Sequence, residues 1–224
     1  MHPTTRTLQT RLRATLPTAR IDVVPLPKLE HLRLALINAD FSTAPLPPET
    51  MRKVIANPAY WAFCWGSGLA SAMWLQANPD KVAGKVVADV GCGSGVVAIA
   101  AAMAGAGKVY ACDIDKDALL AAETNAKLNN TQIQLCEHID QLPSHLDQIW
   151  IADVLYDRAN LPLISAIKRR APNVIISDSR VRDLHEPDFT LVRRAEALTF
   201  PNLGEFDEFR VVNFFEYSAD ICRY

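Results

Sequence analysis

Residues 85–115, KVVADVGCGSGVVAIAAAMAGAGKVYACDID, read without interruption as strand, glycine turn, helix, turn and strand. Val86, Val87, Ala88 and Val90 form an apolar run without period-two alternation, the pattern of a strand buried on both faces of a parallel sheet. The run stops at Gly91, Gly93 and Gly95, whose missing Cβ atoms permit a tight turn and let a ligand lie on the backbone. Ser94 is expected to cap the helix that follows, Val96 to Ala104, whose alanines let it pack close to the sheet. Gly105 and Gly107 end that helix, and Val109, Tyr110 and Ala111 begin a second strand closing on Asp113. This is one βαβ half of a nucleotide-binding α/β fold.

An acidic residue closing the second strand, a little over 20 positions past the glycine turn, stands where a ribose diol is gripped. The turn nevertheless departs from the dinucleotide fingerprint: its spacing is GxGxG, residue 96 is Val, and no Lys or Arg lies between Lys85 and Lys108 to meet a phosphate. Asp89, two residues before Gly91, adds negative charge where an anion is unwelcome. A ligand carrying a ribose, an ammonium and a sulfonium suits this turn better than one carrying phosphates, which sets a dehydrogenase well behind.

ADVGCGSG followed by YACDID resembles motif I and the acidic ribose loop of the class I, seven-stranded S-adenosylmethionine-dependent methyltransferases. The resemblance implies a Rossmann-like, doubly wound, seven-stranded α/β sheet, mostly parallel with a C-terminal antiparallel hairpin. It also implies S-adenosyl-L-methionine as cofactor, with Asp89, Gly91, Gly93, Gly95 and Asp113 around it. Ile114 and Ile139 would sandwich the adenine, with His138 or Asp140 at its amino edge; an ordinary polar loop accounts equally well for the last two.

Ahead of the glycine turn, Tyr60, Trp61, Phe63 and Trp65 crowd six positions before Gly66-Ser67-Gly68 and an apolar helix. On residue chemistry alone an aromatic core plug and a ligand wall are equal readings. The pattern YWAxxWxxG, residues 60–68, is similar to that of the lysine methyltransferases acting on the electron-transfer flavoprotein β subunit, which implies that Trp65 lies against the cofactor. Those relatives usually carry Trp-Pro-Gly where this chain has Trp65-Gly66-Ser67. The strand QIWIAD, residues 148–153, ends in a DxxY segment, Asp153 to Tyr156, similar to the same branch. The resemblance makes Asp153 and Tyr156 the catalytic candidates, Asp153 holding an incoming lysine ammonium beside the cofactor and Tyr156 walling its channel. Asp178 and Arg180, at the end of the strand around Val174 to Ile176, line the substrate mouth or form an internal ion pair.

Composition bounds the rest. The 224 residues are half apolar, ample for a sizeable core, and 23 basic against 25 acidic residues give no field for nucleic acid or an anionic membrane. Nucleic acid is therefore not the expected acceptor, and the resemblance at Trp65 and the DxxY segment implies a protein lysine instead. The longest apolar run, near Val96 to Ala106, is too short to span a bilayer, and no signal peptide opens the chain. Five cysteines without CxxC spacing and five histidines without a ligand pattern point to a cytoplasmic protein with reduced thiols and no metal. Leu8, Leu12 and Leu16 mark an amphipathic helix in an N-terminal helical extension, 1–56, that caps a methyltransferase domain, 57–224; the stretch 29–37 is of open type. A small-molecule N-methyltransferase, using the extension as a lid, and a non-catalytic cofactor-binding module are the alternatives.

Overall fold

In the computed structural model, which describes residues 3–155 and 157–219, the N-terminal part contains α1 (Pro3–Thr15), β1 (Ile21–Leu26), β2 (Leu29–Ile37) and α2 (Pro48–Ala56). After α3 (Gly66–Ala77) come β3 (Val86–Val90), α4 (Val96–Met103), β4 (Lys108–Cys112), α5 (Lys116–Leu128) and β5 (Gln134–Cys136). Then follow β6 (Gln148–Ala152), α6 (Pro162–Lys168), β7 (Asn173–Asp178), β8 (Thr190–Glu196) and β9 (Val211–Ser218). Seven strands form one sheet in the order β5-β4-β3-β6-β7-β9-β8. Strands β3 to β7 pair in parallel, and β9 runs antiparallel to both β7 and β8. The chain leaves β3 toward β4 on one side and reaches β6 on the other, so the topological switch point lies between the carboxyl ends of β3 and β6.

The middle strands are buried on both faces, which is why their sequence reads as unbroken apolar runs: Val87, Ala88 and Val90 of β3 and Ile149, Trp150 and Ile151 of β6 are all within 4% of full burial. Helix α3 lacks a polar side as well. Nine of its residues are buried, against α4 and the β6–β7 strands, and the hydroxyls of Ser71 and Ser177 meet at 2.8 Å. No helix among the described residues is long and apolar enough to cross a membrane.

The extension holds the expected helix, with Leu8, Leu12 and Leu16 turned into a cluster with Ala118 and Ala121 of α5. The stretch of open type is strand β2, paired antiparallel with β1, so the extension is a hairpin as well as helices. Its outer edge does not meet another strand. The amide of Ala35 donates to Oδ1 of Asn125 on α5 at 2.7 Å and that of Arg33 to Oδ1 of Asn129, the residue that caps α5, at 2.9 Å. Trp61 and Ala62 pack into the same cluster, so the extension buttresses the aromatic segment from behind.

Candidate functional site

One cavity of about 840 Å³ opens at the switch point, over the carboxyl ends of β4, β3 and β6. Gly91, Gly93, Asp113, Ile114, His138 and Ile139 line it toward β4, and Trp65, Asp153, Val154 and Arg180 line it toward β7. Sequence separations of 20 to 115 residues converge here because parallel strands deliver every loop to the same sheet edge.

The glycine turn is built by crowding as much as by conformation. Gly91 has φ +74°, and a Cβ there would fall 2.4 Å from Cγ2 of Val154. Gly95 has φ +79°, and a Cβ there would meet Cα of Ala122 on α5 at 2.8 Å. Gly95 therefore serves the close approach of α4 and α5, and it does not line the cavity as expected. Gly95 also takes the cap position expected of Ser94, whose carbonyl accepts instead from Nδ2 of Asn125. Asp89 needs the same correction. It is 2% exposed, stands outside the cavity lining, and accepts the Ala98 amide of the first turn of α4 at 3.0 Å. A negative group at a helix start is stabilising. Burial nevertheless pushes the Asp89 carboxyl up to about 7.

Asp113 lines the cavity at the carboxyl end of β4. Its Oδ2 accepts from the Gly93 amide at 2.9 Å and its Oδ1 from the Asp115 amide at 3.0 Å, so both oxygens are fixed at the cavity wall. A carboxylate offers about four lone-pair sites, so acceptor capacity remains beyond these amides. Burial raises its pKa, and the backbone amides of Asp115, Gly93 and Ile114 oppose the rise. Ile114 is 84% exposed on the rim and Ile139 is half-buried facing the cavity, an apolar pair flanking a slot for a flat ring. His138 lines the same slot, its Nδ1 accepting from the Asp140 amide at 3.3 Å.

At the other end, Tyr60, Trp61 and Trp65 line the cavity, and Trp61, at 2% exposure, also packs into the core cluster behind it, so the aromatic segment supplies both ligand wall and core. The Trp65 indole is fixed by Nε1–H donating to the Tyr60 carbonyl at 2.9 Å and by the Tyr60 and Phe63 rings at 5.7 and 5.6 Å. Asp153 departs from expectation. Its side chain is 3% exposed, Oδ2 accepts the Ser67 amide at 2.9 Å, and Oδ1 accepts the Ser67 hydroxyl at 2.6 Å and the Ser179 hydroxyl at 3.2 Å. The carboxylate thus caps α3 from a different strand instead of standing open to an ammonium, and burial raises its pKa against those bonds. Its φ of +51°, rare away from glycine, aims it there. Tyr156 lies outside the described residues.

Arg180 satisfies both readings left open for it: it lines the cavity and is ion-paired, at 2.9 Å to Glu205 and 3.8 Å to Asp153. Asp178 is buried behind it and accepts the Arg180 and Val181 amides, and burial pushes its carboxyl up to about 6. Sequence reasoning missed Ser67 as the partner of Asp153, although a serine between two glycines at a helix start was the available signal. Asn57, Pro58 and Asn160, which also line the cavity, carried no signal.

Residues 58–172, just over half of the chain, match the family model described as Ribosomal protein L11 methyltransferase (PrmA). The chain belongs to this family. It is 42% identical over 103 residues to the electron transfer flavoprotein beta subunit lysine methyltransferase of Danio rerio, covering 45% of this chain and 40% of that protein. It is 35% identical over 158 residues to the ribosomal protein L11 methyltransferase of Vibrio vulnificus (strain CMCP6), covering 67% of this chain and 52% of that one. The match to these curated relatives thus spans about half of their length or less. The fold is also that of magnesium protoporphyrin IX methyltransferase from Synechocystis PCC 6803, solved with bound SAM, at a TM-score of 0.51 and 19% identity over 80% of this chain and 86% of the other. For this PrmA-family chain the cofactor is S-adenosyl-L-methionine. The cavity fits it: a fixed carboxylate at the wall, the apolar Ile114 and Ile139 beside it, a backbone-walled turn and, among the described residues, no cation at the turn.

Proposed function

We propose that this chain is a protein-lysine N-methyltransferase. The observation that carries the reading is the division of one cavity into an Asp113 end built for a sugar and an aromatic end, walled by Tyr60 and Trp65, through which an alkyl amine can enter. The relatives named for a lysine of the electron transfer flavoprotein and for ribosomal protein L11 support a protein acceptor. The balance of 23 basic and 25 acidic residues supports it over nucleic acid.

S-adenosylmethionine, when bound, supplies an electrophilic methyl group. The protein's share is positioning, which contributes up to about 7–11 kcal/mol when reacting groups are held in line. Asp113 holds the sugar, Ile114 and Ile139 hold the ring, and Trp65 walls the transfer end. A lysine amine, with an ordinary pKa of about 10.4, must arrive uncharged, and an aromatic channel beside a positive charge favours the neutral form. Asp153 acts here as a positioning residue through Ser67. The extension of residues 1–56 acts as a buttress for the aromatic segment and not as a lid. Free thiols at Cys64, Cys92, Cys112 and Cys136 support a reducing, cytoplasmic setting.

The test is incubation with radiolabelled S-adenosylmethionine and, in parallel, a soluble cell extract, purified electron transfer flavoprotein β subunit and ribosomal protein L11. Label on a protein lysine is the expected result. Label confined to small metabolites or RNA overturns the choice of acceptor, and absence of label in all three overturns the enzyme.

A further inference from the structure

Arg180 is the one lysine or arginine that lines the cavity among the described residues, and its setting is unusual. The guanidinium lies between two aromatic faces, 5.6 Å from the Trp65 centroid and 4.6 Å from that of Phe209. It is ion-paired to Glu205 at 2.9 Å and to Asp153 at 3.8 Å, with NH1 donating to the Ser179 hydroxyl at 3.2 Å. Asp178, fully buried, is a further carboxyl that feels this guanidinium through space. Among the described residues, carboxyls outnumber the lining cation here, which leaves the corner favourable to a further cation.

Its position along the cofactor site follows from strand order. Asp113 ends β4, and the guanidinium sits beside Asp153, just past the end of β6; β4, β3 and β6 are consecutive neighbours. At about 4.8 Å per strand the ends of β4 and β6 lie about 10 Å apart. A ribose joined through a thioether chain to an amino acid bridges such a span, which sets the charged sulfur between the two, near Arg180.

We propose that Arg180 is a specificity-determining residue of the methyl-transfer end: its guanidinium offsets the surrounding carboxylates and so limits the preference of the site for a cationic donor over the neutral thioether product. The inference rests on the cofactor site described above. A transfer site made only of carboxylates holds the positive ground state tightly, which deepens the well from which reaction must climb. An immovable cation in the wall weakens that hold, and it disfavours a protonated acceptor amine for the same reason.

The test needs no acceptor. Calorimetric affinities are measured for S-adenosylhomocysteine, with a neutral thioether, and sinefungin, with an amine cation where the methylsulfonium stands. Arg180→Met keeps a side chain that packs between Trp65 and Phe209 but removes the charge. It is expected to shift the affinity ratio about tenfold toward sinefungin, whereas Arg180→Lys stays within about twofold of the unmodified protein. Glu205→Gln, which removes one anion and keeps Arg180, is expected to shift the ratio about threefold toward S-adenosylhomocysteine and serves if Arg180→Met does not fold. An unchanged ratio in folded Arg180→Met, an equal shift in Arg180→Lys, or no shift in Glu205→Gln overturns the proposal. Failure of the unmodified protein to bind either ligand overturns the cofactor site itself and is seen before any variant is measured.

Discussion

Replacing Asp113 by Asn changes one oxygen for an amide and removes one charge. In the native site the two carboxylate oxygens each take a backbone amide, from Gly93 at 2.9 Å and Asp115 at 3.0 Å, and the residue lines the cavity, where a ribose diol would meet the remaining acceptor capacity. An asparagine retains one acceptor oxygen and sets its NH₂ against whichever backbone amide it no longer satisfies. Hydrogen bonds to a charged group contribute about 1.5–3 kcal/mol and neutral ones about 0.5–1.5. Loss of charge on two ribose contacts should then cost about 2–3 kcal/mol, or roughly 30- to 100-fold in affinity. The assay is calorimetric titration with S-adenosylhomocysteine and with its 2′,3′-dideoxy analogue. The native protein should lose most of its affinity on going to the analogue, and Asp113→Asn should lose little more. If the variant binds S-adenosylhomocysteine within twofold of the native protein, or is weakened equally toward both ligands, Asp113 does not hold the sugar.

Other variants separate packing from binding. Gly95→Ala forces a side chain into a left-handed position, about 1–2 kcal/mol, and against the Ala122 backbone, about 1–3 more, so urea unfolding should show a loss of about 2–5 kcal/mol with ligand affinity intact. A loss of affinity without a loss of stability contradicts that role. Asp89, raised to about 7 from 3.8, takes up a proton in the folded state that the unfolded chain has released between about pH 4 and 7. Stability should therefore fall as pH rises through that window, and Asp89→Asn should flatten the fall, leaving the part due to Asp178 at about 6; identical melting profiles for the two proteins rule this out. Asp153→Ala uncaps α3 at Ser67, with an expected stability loss of about 1–3 kcal/mol and a severe loss of methyl transfer, while S-adenosylhomocysteine binding changes less than threefold. Full turnover in that variant removes Asp153 from the site.

The parallel half of the sheet was legible because burial on two faces writes itself as continuous apolar sequence, and because Asp113 follows the glycine turn at the interval a βαβ unit demands. Residues 29–37 were not legible: Leu29, Leu32, Leu34 and Leu36 fit a helix as readily as a strand, and Pro25 masks the periodicity of the partner strand. The roles of Asp89 and Gly95 were misplaced for a related reason. Motif position shows that a residue belongs to the turn, not which side of it the side chain serves, and both face the helices behind. The capping of α3 by Asp153 joins residues 86 apart and has no local trace.

Strand β2 offers its outward amides to Asn125 and Asn129, so a helix closes an edge that a third strand would otherwise occupy. Two carboxamides, one in the last turn of α5 and one at its C-terminal cap, thus guard the molecule against adding a stranger's backbone. With both changed to alanine, the hairpin would present an open template for sheet extension, and the first symptom would be self-association, before any effect on the distant pocket.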